Sequence, residues 1–231
     1  KKGSLYFLIK SYIGSSFFNK KFLKLVSENN TQEKTYKKKD SMMFKIPFSK
    51  NINKRNIQCF SFENFGLYCY IHKYFSLYII CKENFDYQNS GHHHDDNLSV
   101  DLVVGKKSII TDPGSYCYSS NLSLREKYRS IKSHFAPRPK SDYYQQIKYP
   151  FVFGNFVKAK NIMFSRDLFL GKICYDHTTV FRSIRINKSG IDINDFSDCE
   201  VLSGYQVFKN KAKVSSSYRV LSKANIIQIN K

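Results

Sequence analysis

The spacing of apolar positions changes along the chain and divides it into two parts. Between residues 4 and 28, apolar side chains recur at mixed spacings of three and four, which predicts a helix or a broken pair of helices. The polar, charge-dense stretch over residues 29–41 is typical of a linker. We therefore expect a helical segment with its linker over residues 1–40 and a second unit over residues 41–231.

The second unit has the pattern of an antiparallel β structure. From about Gln58 onwards, short apolar runs rich in aromatic and β-branched residues alternate with turn residues. The run over residues 98–112 predicts a β-hairpin, with a tight Gly-Lys-Lys turn between two strands. Further runs of strand length are FVFGNFVKAKNIMFS, TTVFRSIRIN, GIDINDFSD, EVLSGYQVF and KVSSSYRVL. Many short strands separated by turns predict a large antiparallel β-sandwich with no long helix.

Composition and charge narrow the class of protein. A chain of 231 residues with 42% hydrophobic residues is long and apolar enough to fold around a core, which excludes a disordered protein. The net charge of +20 would attract a polyanion: nucleic acid, anionic lipid or an acidic polysaccharide. Nucleic acid is disfavoured because the chain carries no recognisable DNA- or RNA-binding motif. The chain has no run of 18 apolar residues, so the sequence predicts no membrane span. Its six cysteines are scattered, which favours free thiols.

Histidines and aspartates are concentrated in one segment. Residues 91–114 hold three histidines and four aspartates. On a strand, His92 and His94 would share one face, about 6.5 Å apart, and the hairpin would return Asp112 beside His94. With His134 further on, two imidazoles and a carboxylate make a donor set suited to zinc. A turn that merely caps strands with polar side chains explains the same composition, and the spacing alone leaves both readings open.

The order of residues around this segment is more specific than its composition. It reads G-H-H-H-D-D-N-L-S over residues 91–99, D-P-G-S-Y-C-Y over residues 112–118, and Y-R-S at residues 128–130 before His134. This order resembles the heparinase II/III-like family of polysaccharide lyases, over roughly residues 57–140. The resemblance implies a C-terminal β-sandwich domain, preceded in the family by a helical (α/α) toroid. Residues 1–40 would then be the remnant of that toroid.

The resemblance also assigns roles to individual residues. The positions that correspond to zinc ligands are His94, Asp112 and His134. His92 corresponds to an active-site residue that faces the substrate. A tyrosine helps to line the site in some relatives, and Tyr128 is the best match here, with Tyr116 and Tyr118 as rivals. Arg129 falls inside the matched motif and is the expected contact to substrate anions.

Family chemistry implies the expected function. Such lyases cleave uronic-acid polysaccharides by β-elimination, so the expected partners are an anionic polysaccharide and the toroid domain of the same protein. Because the toroid supplies half of the cleft, the present chain alone should be inactive. The family favours a periplasmic or envelope location, although a cytoplasmic one stays open. The competing hypothesis is a non-catalytic carbohydrate-binding or scaffold domain in surface-polysaccharide metabolism.

Overall fold

The structure is a computed structural model that describes most of the chain after residue 39. The described residues are 40–82, 92–140, 147–149, 152–153, 157–175, 178–203, 212–217 and 220–224. The predicted helical segment and nearly all of its linker lie outside the described residues. Among the described residues, no helix is long and apolar enough to cross a membrane.

Sixteen strands and a few short helices make up the described part of the chain. The strands, numbered in chain order, are β1 (Asp40–Pro47), β2 (Gln58–Phe62), β3 (Leu67–His72), β4 (Phe75–Ile80), β5 (Val100–Val104), β6 (Lys107–Ile110), β7 (Arg138–Pro139), β8 (Ile147–Tyr149), β9 (Val152–Phe153), β10 (Lys158–Ser165), β11 (Leu168–Cys174), β12 (Thr179–Ile186), β13 (Gly190–Ser197), β14 (Val201–Leu202), β15 (Ala212–Ser217) and β16 (Val220–Ala224). Helix α1 spans Leu122–Arg129, and short 3₁₀ helices span Lys54–Asn56, Glu63–Phe65 and Ile131–Ser133.

Two five-stranded antiparallel sheets form the body of the fold. The first has the order β1-β13-β12-β11-β10, and the second has the order β2-β3-β4-β5-β6. Two-stranded pairings of β7 with β14, β8 with β9 and β15 with β16 complete the described strands. The predicted β5–β6 hairpin is present, with Val104 opposite Lys107. The predicted antiparallel β-sandwich is confirmed.

The hydrophobic core lies between the two sheets. Strands of both sheets contribute to one buried cluster, which includes Leu77 and Leu102 from the second sheet and Ile184 from the first. Aromatic contacts cross between the sheets: the Tyr68 and Phe169 ring centroids are 5.4 Å apart. Burial alternates with a period of two along β4, whereas β12 and β13 are buried at nearly every position.

Two strands extend the predicted set. Strand β1 pairs with β13 along its whole length, so Asp40 and Ser41, expected in the linker, belong to the sandwich. Its alternation is plain in the burial of Phe44 and Ile46 between exposed neighbours. Strand β11 lies between β10 and β12, in the middle of the first sheet.

Candidate functional site

The histidine segment is a loop, and the expectation that it forms a strand is wrong. Residues 92–99 fold as turns and irregular backbone, and regular pairing begins only at Val100. Leu98 takes a positive φ of 59° although it is fully buried, a backbone conformation that side-chain-bearing residues rarely adopt. Polar side chains compete with strand pairing here: the Asn97 side-chain oxygen accepts a hydrogen bond from the Lys82 backbone N–H at 2.8 Å. The strand argument for His92 and His94 therefore does not apply.

Helix α1 holds this loop in place. The Arg129 side chain donates a hydrogen bond from Nε to the His93 carbonyl at 2.9 Å, and the Asp95 N–H donates to the Arg129 carbonyl at 2.9 Å. The helix is short, but the Asn121 side chain caps its N-terminus by accepting from the Leu124 N–H. Arg129 is itself buried, so the loop and the helix end form one locked unit.

The three predicted metal ligands meet at the end of the hairpin. The Asp112 carboxylate lies 2.7 Å from Nδ1 of His134, and the His94 and His134 ring centroids are 5.2 Å apart. Nε2 of His94 is 3.2 Å from the Ser115 hydroxyl. The Gly114 N–H donates to the other Asp112 carboxylate oxygen, which fixes the turn that follows β6. Asp112 and His94 are thus neighbours of His134 in space, although they precede it in the sequence by 22 and 40 positions.

Electrostatics in this cluster favour a carboxylate beside two imidazoles. Burial acts to raise the pKa of Asp112, but the hydrogen bond and charge of His134 outweigh burial and lower it to about 2. Burial, together with the neighbouring His134, lowers the pKa of His94 to about 4. Burial also acts to lower the pKa of His134, but the bond to Asp112 prevails and raises it. His94 is therefore neutral at physiological pH, as a metal ligand must be.

The donor types match a zinc site, although they do not form a finished cage. His134 is fully buried and its Nε2 has no hydrogen-bond partner among the described residues, which is costly unless something binds that nitrogen. A carboxylate bonded to Nδ1, with Nε2 directed to the metal, is how metal-binding histidines are commonly oriented, so Asp112 would have to give up this bond to bind the same ion itself. Among the described residues, however, no three His, Cys, Asp or Glu side chains are grouped closely enough to hold one ion.

A small cleft opens beside the histidine cluster. Its lining consists of His92, His94, Ser115, Cys117, Tyr118, Arg125 and Arg129. His92 is exposed, and its Nδ1 lies 2.7 Å from the Tyr118 hydroxyl. The Arg125 guanidinium lies over the Tyr118 ring at 5.7 Å. The cleft therefore brings together the imidazole of His92, the phenol of Tyr118 and the guanidinium groups of Arg125 and Arg129.

Tyr128 lies elsewhere. It is 2% exposed and packs against Tyr116, with 5.5 Å between the ring centroids. The buried positions of α1 are Arg125, Tyr128 and Arg129, spaced as one face of a helix. Burial raises the pKa of the Tyr128 phenol, which further disfavours proton transfer by it. The cleft tyrosine is the rival candidate, Tyr118.

The two aspartates next to the histidines do different things. Asp96 forms an ion pair with the Lys82 ammonium at 3.0 Å, so its carboxylate ties the loop to the end of β4. Asp95 is buried, and its backbone N–H joins the loop to α1. Neither contact places a carboxylate on the His92 or His94 imidazole.

A buried ion pair supports the site from the first sheet. Arg182 of β12 forms a two-pronged salt bridge with Asp195 of β13, at 2.6 and 2.7 Å, and both side chains are fully buried. The same guanidinium donates to the carbonyls of Leu98 and Phe135, at 2.7 and 2.6 Å. These carbonyls belong to the histidine loop and to the residue after His134. Sequence reasoning missed this pair, because a charge in a strand ordinarily points to solvent.

Comparison with known proteins agrees with this architecture. Residues 54–135 match the family described as heparinase II/III-like, C-terminal. This part of the chain is therefore similar to the C-terminal domain of that family. The matched range runs from the 3₁₀ helix before β2 to the residue after His134, so it contains the second sheet, the histidine loop, the hairpin and α1. A search of curated proteins finds no match.

Solved heparinase structures share the fold. A heparinase III gene product with methylated lysines superposes with a TM-score of 0.52 at 11% identity, over 72% of this chain and 32% of its own. The heparan sulfate lyase HepC from Pedobacter heparinus superposes with a TM-score of 0.51 at 15% identity, over 73% of this chain and 33% of its own. The chain therefore spans about a third of the length of these proteins.

Proposed function

We propose that this chain is the C-terminal domain of a polysaccharide lyase that cleaves a uronic-acid-containing polymer by β-elimination. The observation that carries the proposal is the contact between His92 and Tyr118 in a cleft lined by Arg125 and Arg129. The family match over the same residues supports it.

The cleft side chains suit each part of that reaction. Elimination removes the proton on C5, forms a C4–C5 double bond, breaks the bond from C4 to the glycosidic oxygen and protonates that oxygen. His92 is exposed and can accept the C5 proton, and the Tyr118 hydroxyl can donate a proton to the departing oxygen. The two share a hydrogen bond of 2.7 Å, along which a proton can return between them.

The positive charges at the cleft can neutralise the carboxylate of the substrate. A uronate must have its carboxylate neutralised before the C5 proton becomes acidic. Burial lowers the pKa of Arg129 to about 10, which still leaves the guanidinium charged at neutral pH. Arg125 is also buried at the cleft, so the pair supplies fixed positive charge with little freedom to move away.

In this proposal His94, Asp112 and His134 hold one zinc ion. Supporting it are the unpartnered Nε2 of His134, the neutral His94 imidazole and the carboxylate beside them. A bound zinc ion would add positive charge next to the cleft. The cluster's own residues already orient one another through the Asp112–His134 hydrogen bond.

The proposed enzyme needs the domain that precedes this one. The chain covers about a third of the solved heparinases it resembles, and its cleft is small. By itself it should bind oligosaccharide without cleaving it. The second candidate, a non-catalytic carbohydrate-binding domain, predicts the same behaviour even when the preceding domain is present.

Activity separates these functions and tests the cleft residues. In a chain extended to include the preceding domain, cleavage of a uronic-acid polymer should produce unsaturated sugars that absorb in the ultraviolet. His92→Ala and Tyr118→Phe should each lower kcat by about 100-fold or more, because each removes a proton-transfer group. Tyr128→Phe is the matched control and should keep kcat within roughly tenfold of the wild type, since its hydroxyl is buried away from the cleft.

Two outcomes would contradict the proposal. Product formation that depends on Tyr128 and not on Tyr118 would show that the cleft assignment is wrong. Absence of product from every uronic-acid polymer, with binding retained, would favour the carbohydrate-binding domain.

Zinc is tested by metal analysis of the purified chain after dialysis against zinc. The wild type should retain about one equivalent, and His94→Ala should lose it, because two remaining donors cannot close a tetrahedral site. His93→Ala is the matched control, since Arg129 donates to the backbone carbonyl of His93, which alanine keeps. Equal retention by both variants would mean that His94 is not a ligand.

A further inference from the structure

A second groove lies at the other end of the sandwich, away from the histidine cleft. It encloses about 880 Å³, within the range of roughly 300–1,000 Å³ that is usual for ligand pockets. Its walls are the end of β1, the segment after it, Tyr74 and the β5–β6 turn. The described lining of this groove shares no residue with the lining of the cleft. The groove is therefore separate from the cleft.

The floor of this groove is apolar and well held. Ile46 and Ile109 are buried beneath it, and the Phe48 ring stacks on Phe75 with centroids 5.3 Å apart. The Gly105 N–H donates to the Tyr74 carbonyl at 2.7 Å, which ties the hairpin turn to the opposite wall. The shape is thus set by the fold and does not depend on a bound ligand.

The rim of the groove is cationic. Four lysines line it, namely Lys45, Lys50, Lys106 and Lys107, and the described lining contains no carboxylate. All four are exposed. The Lys50 ammonium lies 4.0 Å from the centre of the Tyr74 ring, and the Lys73 ammonium lies 4.9 Å from it. Cation–π contacts therefore hold Lys50 at one wall and add a fifth positive charge there, that of Lys73.

We propose that this groove is a second binding site for an anionic oligosaccharide segment. The apolar floor suits the C–H face of a sugar ring, and the surrounding ammonium groups suit sulfate or carboxylate substituents. The identity of the ligand rests on the proposed function, because a lyase of a charged polymer gains from holding the chain at two separate points.

The geometry favours a sugar over a nucleic acid. Single-stranded nucleic acid binds mainly by stacking its bases on open aromatic faces. Here the face of Tyr74 is covered by Lys50, and Phe48 is stacked on Phe75. The surfaces that remain open are the aliphatic floor and the lysine ammonium groups. Such surfaces suit a non-aromatic ring that carries anionic groups.

Equilibrium binding to the 231-residue chain at low ionic strength tests the proposal. The probes are a labelled heparin hexasaccharide, a hexagalacturonate that carries carboxylates only, and neutral maltohexaose. The variant Lys50→Gln/Lys106→Gln removes two rim charges and should weaken binding of the heparin probe roughly tenfold. The galacturonate probe should respond in the same direction, and maltohexaose should bind too weakly to measure.

The matched control removes two charges elsewhere. The control variant is Lys140→Gln/Arg166→Gln. Lys140 forms an exposed ion pair with Glu200. Arg166 lies in the turn between β10 and β11, at the edge of the first sheet that is farthest from β1. It should change the affinity less than about twofold. If both variants lost affinity for the heparin probe equally, binding would be due to diffuse charge attraction, and the proposal of a binding site in the groove would be wrong.

Two other results would also overturn the inference. No binding of either anionic probe by the wild type would mean that the groove is not open to a sugar. A single-stranded oligonucleotide that binds as tightly, with the same loss in the groove variant, would assign the site to nucleic acid. Because no turnover is measured, failure of the lyase activity leaves this test unaffected.

Discussion

At the scale of single residues, Arg182 links the sandwich to the site. Its guanidinium is fully buried and serves four acceptors: both Asp195 oxygens and the carbonyls of Leu98 and Phe135. The Leu98 carbonyl follows a strained backbone, and Phe135 follows His134. A charge in this position stabilises the particular conformation of two loops as well as the pairing of β12 with β13.

Removal of this charge should be costly. Arg182→Met leaves Asp195 buried and without its partner guanidinium, so the free energy of unfolding should fall by about 3–5 kcal/mol. Urea denaturation followed by tyrosine fluorescence measures it. Lys140→Gln, which breaks the exposed pair with Glu200, is the control and should leave the midpoint nearly unchanged. A small effect of Arg182→Met would show that the loops do not depend on it.

At the scale of elements, the start of β3 and the end of β4 approach each other closely at the point where the chain leaves β4. Gly66 precedes β3 with a φ of +64°, and its carbonyl accepts the Cys81 N–H at 2.6 Å. A Cβ at this position would lie 2.6 Å from the Cys81 carbonyl oxygen and 2.7 Å from the Lys82 Cα, both backbone atoms. The approach of these two segments sets the position of Lys82, which binds Asn97 and Asp96 of the loop.

This contact gives a matched pair of glycine variants. Gly66→Ala must bear the left-handed conformation, about 1–2 kcal/mol, and also displace backbone, so it should destabilise the fold by clearly more than that. Gly105→Ala has nearly the same φ, +63°, with no atom within 4 Å of the added Cβ, so it should show the conformational cost alone. Thermal unfolding of the two variants compares them directly. Equal losses would mean that the backbone near Cys81 yields easily.

At the scale of the whole molecule, charge and architecture separate two sites. The net charge of +20 makes attraction to a polyanion general, and the fold concentrates it at a guanidinium-lined cleft and a lysine-rimmed groove. The two lie at opposite ends of the β5–β6 hairpin. If both proposals hold, a polymer bound at one end of the sandwich would be held near the other at high effective concentration.

The sequence by itself determined the fold class, the β5–β6 hairpin and the family resemblance, because these depend on local alternation, turn residues and the order of a few polar residues. The metal-ligand assignments stay predictions. Tertiary structure alone decided which tyrosine reaches the cleft, because Tyr128 is buried against Tyr116, whereas Tyr118, in the segment before α1, lies beside His92. It also revealed the role of Arg182, since a strand charge looks solvent-facing until its register opposite Asp195 is known. The loop form of the histidine segment likewise depends on bonds from Lys82 and Arg129, partners that local spacing cannot identify.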